Sequence, residues 1–194
     1  METSRTMTLT DALQVLADVR TDEVVVTTMS AARQWMRESK HPLDFHYVPS
    51  TMGGGFALGL GIALARPERN VLVLNGDGCL LMNLGSLVTV AVSMARNFTG
   101  IVIDNGNFET TGGQKLVTTN SPIELADFAR AAKFASVSEF DSLPAWKDGV
   151  ASALAKPGPR CIILKVATVE GDHSLMPPGP MSDRITEFQV ALNR

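Results

Sequence analysis

The sequence predicts an α/β fold: a three-layer arrangement in which a parallel sheet carries helices on both faces. Three observations predict it. Strand and helix patterns alternate along nearly the whole chain. The strand patterns, such as Val24-Val25-Val26 and Val71-Leu72-Val73-Leu74, are almost continuously apolar, as strands covered on both faces are. The 194 residues, 45% hydrophobic and 19% charged, suit one domain with a sizeable core and leave little room for a second.

The elements follow in order. Thr8 or Thr10 can cap a helix in which Leu9, Leu13, Leu16 and Val19 recur at helical spacing. Glu23–Thr28 reads as a buried strand, Ser30–Glu38 as a helix and Phe45–Val48 as a short strand. Gly54–Ala65 is a Gly- and Ala-rich helix that stops before Pro67. Asn70–Leu74 is the next strand, Leu80–Ala95 the next helix, and Gly100–Asp104 a strand that runs into a long loop, Asn105–Asn120. Ser121-Pro122-Ile123-Glu124 has the form of a capped helix start. Phe134–Val137 is a weaker strand, Ser142–Ala155 a helix, and Pro157-Gly158-Pro159 a stop before the strand Arg160–Val166. Pro177–Pro180 sets off a last helix, Ser182–Leu192, so we expect one domain over residues 1–176 and a C-terminal tail with a short helix over 177–194.

Composition excludes several functions. A net charge of −3 without a long basic run leaves no electrostatic footprint for nucleic acid or an anionic membrane. Met1–Arg20 lacks a basic start followed by an apolar core, so a secretory leader is not expected and a cytoplasmic location is. Cys79 and Cys161 stand far apart with no CxxC or Cys/His spacing, which argues against a zinc or iron–sulfur site. Gly78–Ala95 contains no charge and could be read as a membrane span. Asn83, Ser86, Thr89 and Ser93 interrupt it, however, and a helix buried between sheet and partner fits better.

Two strand ends carry the chemistry: Leu74-Asn75-Gly76-Asp77-Gly78 and Ile103-Asp104-Asn105-Gly106-Asn107. Ligands of parallel α/β folds bind at such ends. Gly76 and Gly78 permit a sharp turn whose amides, at the start of a helix, suit a phosphate. Asp77 beside them suits a divalent cation neutralising that phosphate, and oxygen-only donors point to Mg²⁺ rather than Zn²⁺. The plainer alternative is that Asp77 closes a turn and Asn105 caps a strand. No GxxxxGK[ST] or GxGxxG is present.

Gly76-Asp77-Gly78 followed by Asp104-Asn105, with Asn105 28 positions after Asp77, resembles the thiamine diphosphate signature of GDG, a spacer, and NN or DN. Met52-Gly53 ahead of a helix ending Ala63-Leu64-Ala65-Arg66-Pro67 looks like the family's aminopyrimidine-binding segment. Thr110-Thr111-Gly112-Gly113-Gln114 is similar to the STGGQ segment of phosphonopyruvate and sulfopyruvate decarboxylases. The four segments stand in the family's order between about Leu9 and Val166, and the chain resembles the diphosphate-binding domain of a thiamine diphosphate-dependent enzyme. Within that family it looks like the β subunit of sulfopyruvate decarboxylase or the C-terminal part of phosphonopyruvate decarboxylase. Ser50-Thr51-Met52 departs from the more usual Gly-Ser-Met, and Asp104 from the first Asn of the NN form.

The resemblance implies site roles. Asp77 and Asn105 would give side-chain oxygens to Mg²⁺, and Asn107 its backbone carbonyl. The amides of Gly78 and Cys79 would meet the diphosphate, with Gly76 opening the turn. Met52 would wedge between the cofactor's rings, with the Ser50 carbonyl, the Met52 amide and Gly53 along the pyrimidine. Ordinary core filling is the alternative for Met52, and a small buried residue is the alternative for Cys79. The family's activating glutamate belongs to a separate pyrimidine-binding domain, absent from this length. The resemblance therefore implies a decarboxylase subunit acting on a small 2-oxo acid with an α-type subunit, as α2β2. A carboligase or oxidoreductase subunit, or a non-catalytic regulatory subunit, are the alternatives. Arg33, His46 and Lys115 are candidate cations for an acidic substrate side chain; His41 and His173 carry no motif.

Overall fold

A computed structural model of the chain describes residues 6–168 and 177–194; His173 lies outside them. Helix α1 (Leu9–Val19) starts at Thr8, whose hydroxyl oxygen accepts the Asp11 N–H at 3.0 Å, and it buries Leu9, Leu13 and Leu16 on one face. There follow β1 (Val24–Thr27), α2 (Met29–Glu38), β2 (Asp44–His46), α3 (Gly55–Ala65) and β3 (Val71–Gly76). Then come α4 (Asp77–Met82), α5 (Gly85–Ser93), β4 (Phe98–Asp104), β5 (Asn107–Phe108) and β6 (Gln114–Lys115). The chain closes with α6 (Leu125–Ala131), β7 (Ser136–Phe140), α7 (Leu143–Ala155), β8 (Arg160–Lys165) and α8 (Met181–Leu192).

Six strands form one parallel sheet in the order β2-β1-β3-β4-β8-β7, with helices on both faces, as the apolar runs predict. Alternate residues of the same strands feed two cores. Val24, Val26, Val71, Val73 and Val102 face Phe56, Phe98 and Leu87, while Val25, Leu72, Leu74 and Ile101 face Leu13, Leu16, Trp35 and Trp146. From β1 the chain first moves outward to β2, then returns to lay β3 on the other side of β1. That reversal opens a crevice above the C-terminal ends of β1 and β3, where ligands of such sheets bind.

Four expectations are corrected. The helix expected over Leu80–Ala95 is two helices, α4 and α5, broken at Asn83-Leu84. There the Asn83 side-chain NH₂ donates to the Gly53 carbonyl and the Ser86 hydroxyl to the Asn83 carbonyl. The expected loop Asn105–Asn120 contains the antiparallel pair β5–β6 around a 3-10 turn, Glu109–Thr111. Ser121 does not cap a helix: its hydroxyl donates to the Thr118 carbonyl and accepts the Ile123 N–H, closing a local turn, and α6 begins at Leu125. The strand expected at Phe134–Val137 lies at Ser136–Phe140, half-buried at the sheet edge. Although Pro177–Pro180 separates α8 in sequence, the helix packs on the other edge. Phe188 is buried with its ring centroid 5.0 Å from that of Phe45 on β2.

Candidate functional site

The crevice is an open cleft whose free space of about 470 Å³ includes the solvent at its mouth. Three strand ends supply its floor. After β1 come Thr28–Ala31, after β3 come Gly76, Asp77, Gly78 and Cys79, and β4 contributes Ile103 and the turn with Asn105 and Asn107. Met52 and Met82 line it from the loop before α3 and from α4, and Phe108, Glu109 and Thr110 from the hairpin.

Asp77 is the centre of this arrangement, 3% exposed. Its Oδ1 accepts the Gly78 N–H at 2.7 Å; its Oδ2 accepts those of Asn105 and Gly106 at 2.9 and 2.7 Å. One carboxylate thus ties the end of β3 to the turn after β4. Burial pushes its pKa above the ordinary carboxylate range; the Gly106 amide opposes this, the neighbouring buried Asp104 adds to it, and the Gly78 and Asn105 amides oppose it further. Asn105 Oδ1 accepts the Asn107 N–H at 2.9 Å. Thr168, just beyond β8, accepts from the Asn107 side-chain NH₂ at 2.9 Å and donates to the Asn105 carbonyl at 3.3 Å.

The two glycines of the turn act through space rather than conformation. Gly76 has φ −74°, which any residue adopts, but a Cβ there would enter open space, so the backbone edge of the cleft is bare. At Gly78 a Cβ would lie 2.5 Å from Phe108 Cε1, so only glycine lets the hairpin close on α4. Gly53 needs its freedom on both counts: φ is +87°, and a Cβ would lie 2.9 Å from Asn83 Cβ.

Met52 is 42% exposed at the mouth, so it is no core filler. Cys79 is buried and burial raises its thiol pKa, which keeps it protonated and leaves its backbone as the available group. Met52, Gly76, Asp77, Gly78, Cys79, Asn105 and Asn107 therefore meet in one cleft. Ser50 and Gly53 stand behind the lining: the Ser50 hydroxyl lies 3.9 Å from Met29 Sδ, and the Gly53 carbonyl holds Asn83. Arg33, His46 and Lys115 do not line it.

Sequence reasoning missed the wall after β1 and the buried Glu109. Met29 holds φ +47°, a strained value for a side chain of its size, where the chain turns into α2. The strand-end rule applied to β1 would have found Thr28–Ala31. The acid next to Thr110-Thr111-Gly112 was the available signal for Glu109.

The donor set fits a hard cation and an anion together. Asp77 and the neighbouring Asp104 are buried, and the Asn105 amide oxygen stands in the turn beside them. Among the described residues no group of three or more His, Cys, Asp or Glu side chains could hold a metal ion, so a cation there would need amide and carbonyl oxygens as well.

The fold and cleft define a class: a doubly wound α/β domain with an open cleft at its switch point. Residues 23–164 match the thiamine pyrophosphate enzyme, C-terminal TPP binding domain, and the chain belongs to that family. It is similar to the phosphonopyruvate decarboxylase of Streptomyces viridochromogenes, 35% identical over 153 residues, which cover 79% of this chain and 38% of that protein. It is also similar to the sulfopyruvate decarboxylase subunit beta of Methanothermobacter thermautotrophicus, 33% identical over 149 residues covering 77% of this chain and 76% of that one. A solved Mycobacterium smegmatis protein assigned as thiamin diphosphate-dependent shares the fold, with a TM-score of 0.69 at 20% identity over 84% of this chain and 32% of its own. The chain thus spans little more than a third of the phosphonopyruvate decarboxylase and about three quarters of the sulfopyruvate decarboxylase subunit. Among the described residues, no helix is long and apolar enough to cross a membrane.

Proposed function

We propose that this chain holds the diphosphate and Mg²⁺ end of thiamine diphosphate in a 2-oxo acid decarboxylase of the sulfopyruvate or phosphonopyruvate type. A separate pyrimidine-domain subunit completes the site, in an α2β2 assembly. The observation that carries the proposal is the meeting of Asp77 and Asn105 with Met52 in one cleft at the sheet's switch point.

Asp77, Asn105 and the Asn107 carbonyl would ligate Mg²⁺, whose charge would offset the burial that raises the Asp77 pKa. The Cys79 amide would face the diphosphate across the bare edge at Gly76, and the Gly78 amide would join it by giving up its bond to the Asp77 carboxylate, which the cation would take up. Met52 would pack against the cofactor's rings, with the Ser50 carbonyl, the Met52 amide and Gly53 shaping the pyrimidine side. When bound, thiamine diphosphate supplies the electron sink for loss of CO₂ from a 2-oxo acid. Among the described residues the cleft opens to solvent on one side, whereas cofactor sites usually bury most of their ligand, which supports a second subunit as a further wall. Three sulfopyruvate decarboxylase relatives are β subunits matched over three quarters or more of their length, which supports the same division of labour, whereas that of Methanosarcina acetivorans is a longer chain matched over 36% of its length.

The same cofactor half would serve another reaction, and the 34% identity over 119 residues to 2-oxoglutarate synthase subunit KorB of Archaeoglobus fulgidus keeps an oxidoreductase or carboligase reading in view. Chain produced alone and with its α-type subunit, assayed with thiamine diphosphate, Mg²⁺ and 2-oxo acids, tests the proposal. Release of CO₂ and free aldehyde only in the two-subunit preparation is expected. Turnover by the chain alone overturns the split site, and a condensed hydroxyketone or an electron-acceptor requirement overturns the decarboxylase assignment.

A further inference from the structure

We propose that α8 is a positioning strap and that Arg184 is its buckle, setting the loop that carries Met52 to the cleft; this rests on the reading of Ser50–Gly53 as the cofactor-facing segment. Among the described residues β2 is an edge strand, hydrogen-bonded only to β1, so no other described strand neighbours its outer carbonyls. Arg184 takes that strand's place. Its Nη1 donates to the His46 carbonyl at 2.5 Å, its Nη2 donates to the Val48 carbonyl, and its Nε donates to the Gly179 carbonyl at 3.2 Å. The planar guanidinium therefore grips two carbonyls where the chain leaves β2, and ties them to the turn that launches α8. A lysine's single ammonium does not reproduce that fork.

Everything between that grip and α3 is held by few bonds. The Tyr47 N–H donates to the Thr27 carbonyl, Val48 N–H to the His46 carbonyl, Thr51 N–H to the Tyr47 hydroxyl at 3.4 Å, and Gly54 N–H to the Thr51 carbonyl. Met52 sits in this span, half-exposed, with Gly53 locked against Asn83 at its far end. The loop is thus anchored at Asn83 on one side and at Arg184 on the other. Phe188 against Phe45 sets the helix that presents Arg184. This helix lies beyond residue 164, where the match to the family's domain ends.

Hydrogen exchange followed by mass spectrometry on the full chain tests the strap without any cofactor. In Arg184→Ala, amides in residues 47–54 should exchange at least about tenfold faster, the change that accompanies loss of one charge-assisted hydrogen bond. Residues 71–76 and 98–104 should stay as protected as in the wild type. Arg184→Lys should fall between the two, and Glu187→Ala, exposed on the same helix, should change nothing. If Arg184→Ala does not fold, the lysine variant carries the test. Unchanged protection over 47–54, or equal loss over the central strands, overturns the strap. A parallel titration with thiamine diphosphate and Mg²⁺ separates the strap from the site: Arg184→Ala should weaken binding about fivefold or more. Equal affinity despite a loosened loop overturns the link to Met52. Absence of binding to wild type and Asp77→Asn alike, with the subunit partner present, overturns the cofactor reading itself.

Discussion

Replacing Asp77 with Asn removes one charge and almost no volume, so it isolates what the carboxylate does. In the wild-type fold its two oxygens accept three N–H groups, from Gly78, Asn105 and Gly106, at 2.7 to 2.9 Å. An asparagine turns its oxygen to the Asn105 and Gly106 pair and sets its NH₂ against the Gly78 N–H, losing one bond. That loss costs about 1–3 kcal/mol, and it is offset because a neutral amide tolerates burial better than a carboxylate beside Asp104. Without metal, the variant should therefore unfold in urea within about 2 kcal/mol of the wild type. Cofactor binding should behave otherwise. A unit charge about 2.1 Å from a dication contributes about 4 kcal/mol even with the screening of bulk water, or roughly three decades of affinity. The asparagine oxygen keeps part of this, so Mg²⁺-dependent thiamine diphosphate affinity should fall by about 100-fold or more. Calorimetric titration of both proteins with the partner subunit present reads the difference. An affinity within about threefold of wild type, in a variant of unchanged stability, would refute the assignment of Asp77 to the metal.

Other expectations follow from the same geometry. Gly78→Ala drives a Cβ into Phe108 and should cost about 1–3 kcal/mol in urea unfolding, with Phe108→Leu in the same chain restoring part of it. Trp146, fully buried with its indole N–H donating to the Ala12 carbonyl at 2.9 Å, should cost about 3–5 kcal/mol as Trp146→Ala in the same assay. Burial holds the His46 pKa below its ordinary value, with Arg184 adding to this and Asp44 opposing it. The unfolded chain therefore takes up a proton near pH 6.5 before the folded one does, and stability is lost as pH falls from about 6.5 toward the depressed folded value. Urea midpoints at pH 7.5 and 5.5 should differ less in His46→Gln than in wild type; an equal drop would place the acid sensitivity elsewhere.

The centre of the sheet was legible because strands such as Val71–Leu74 are apolar on both faces, as strands covered on both sides are, whereas the edge strands β2 and β7 carry Asp44, His46 and Glu139 and read less clearly. The floor of the cleft was legible for a related reason, since Asp77 and Asn105 are hard oxygen donors placed where apolar runs stop. What stayed hidden depends on tertiary partners. The break at Asn83 follows from a bond to Gly53, 30 residues away, which no periodicity reports. Ser121 satisfies helix-start rules and is diverted by the Thr118 carbonyl. The wall at Thr28–Ala31 has no charged or motif residue to mark it, only its place after β1. The grip of Arg184 on β2 joins residues more than 130 positions apart, so α8 reads in sequence as a tail and in space as the cover of an edge.

In the proposed site a divalent cation and a diphosphate would meet at the ends of β3 and β4. Crystals of the chain with its partner subunit, grown with thiamine diphosphate and Mn²⁺ in place of Mg²⁺, test it through the anomalous signal of the metal. One strong peak is expected, bound by the Asp77 carboxylate, the Asn105 side-chain oxygen and the Asn107 carbonyl, with the diphosphate completing its shell. A metal peak away from these three oxygens, with the cofactor in place, would contradict it.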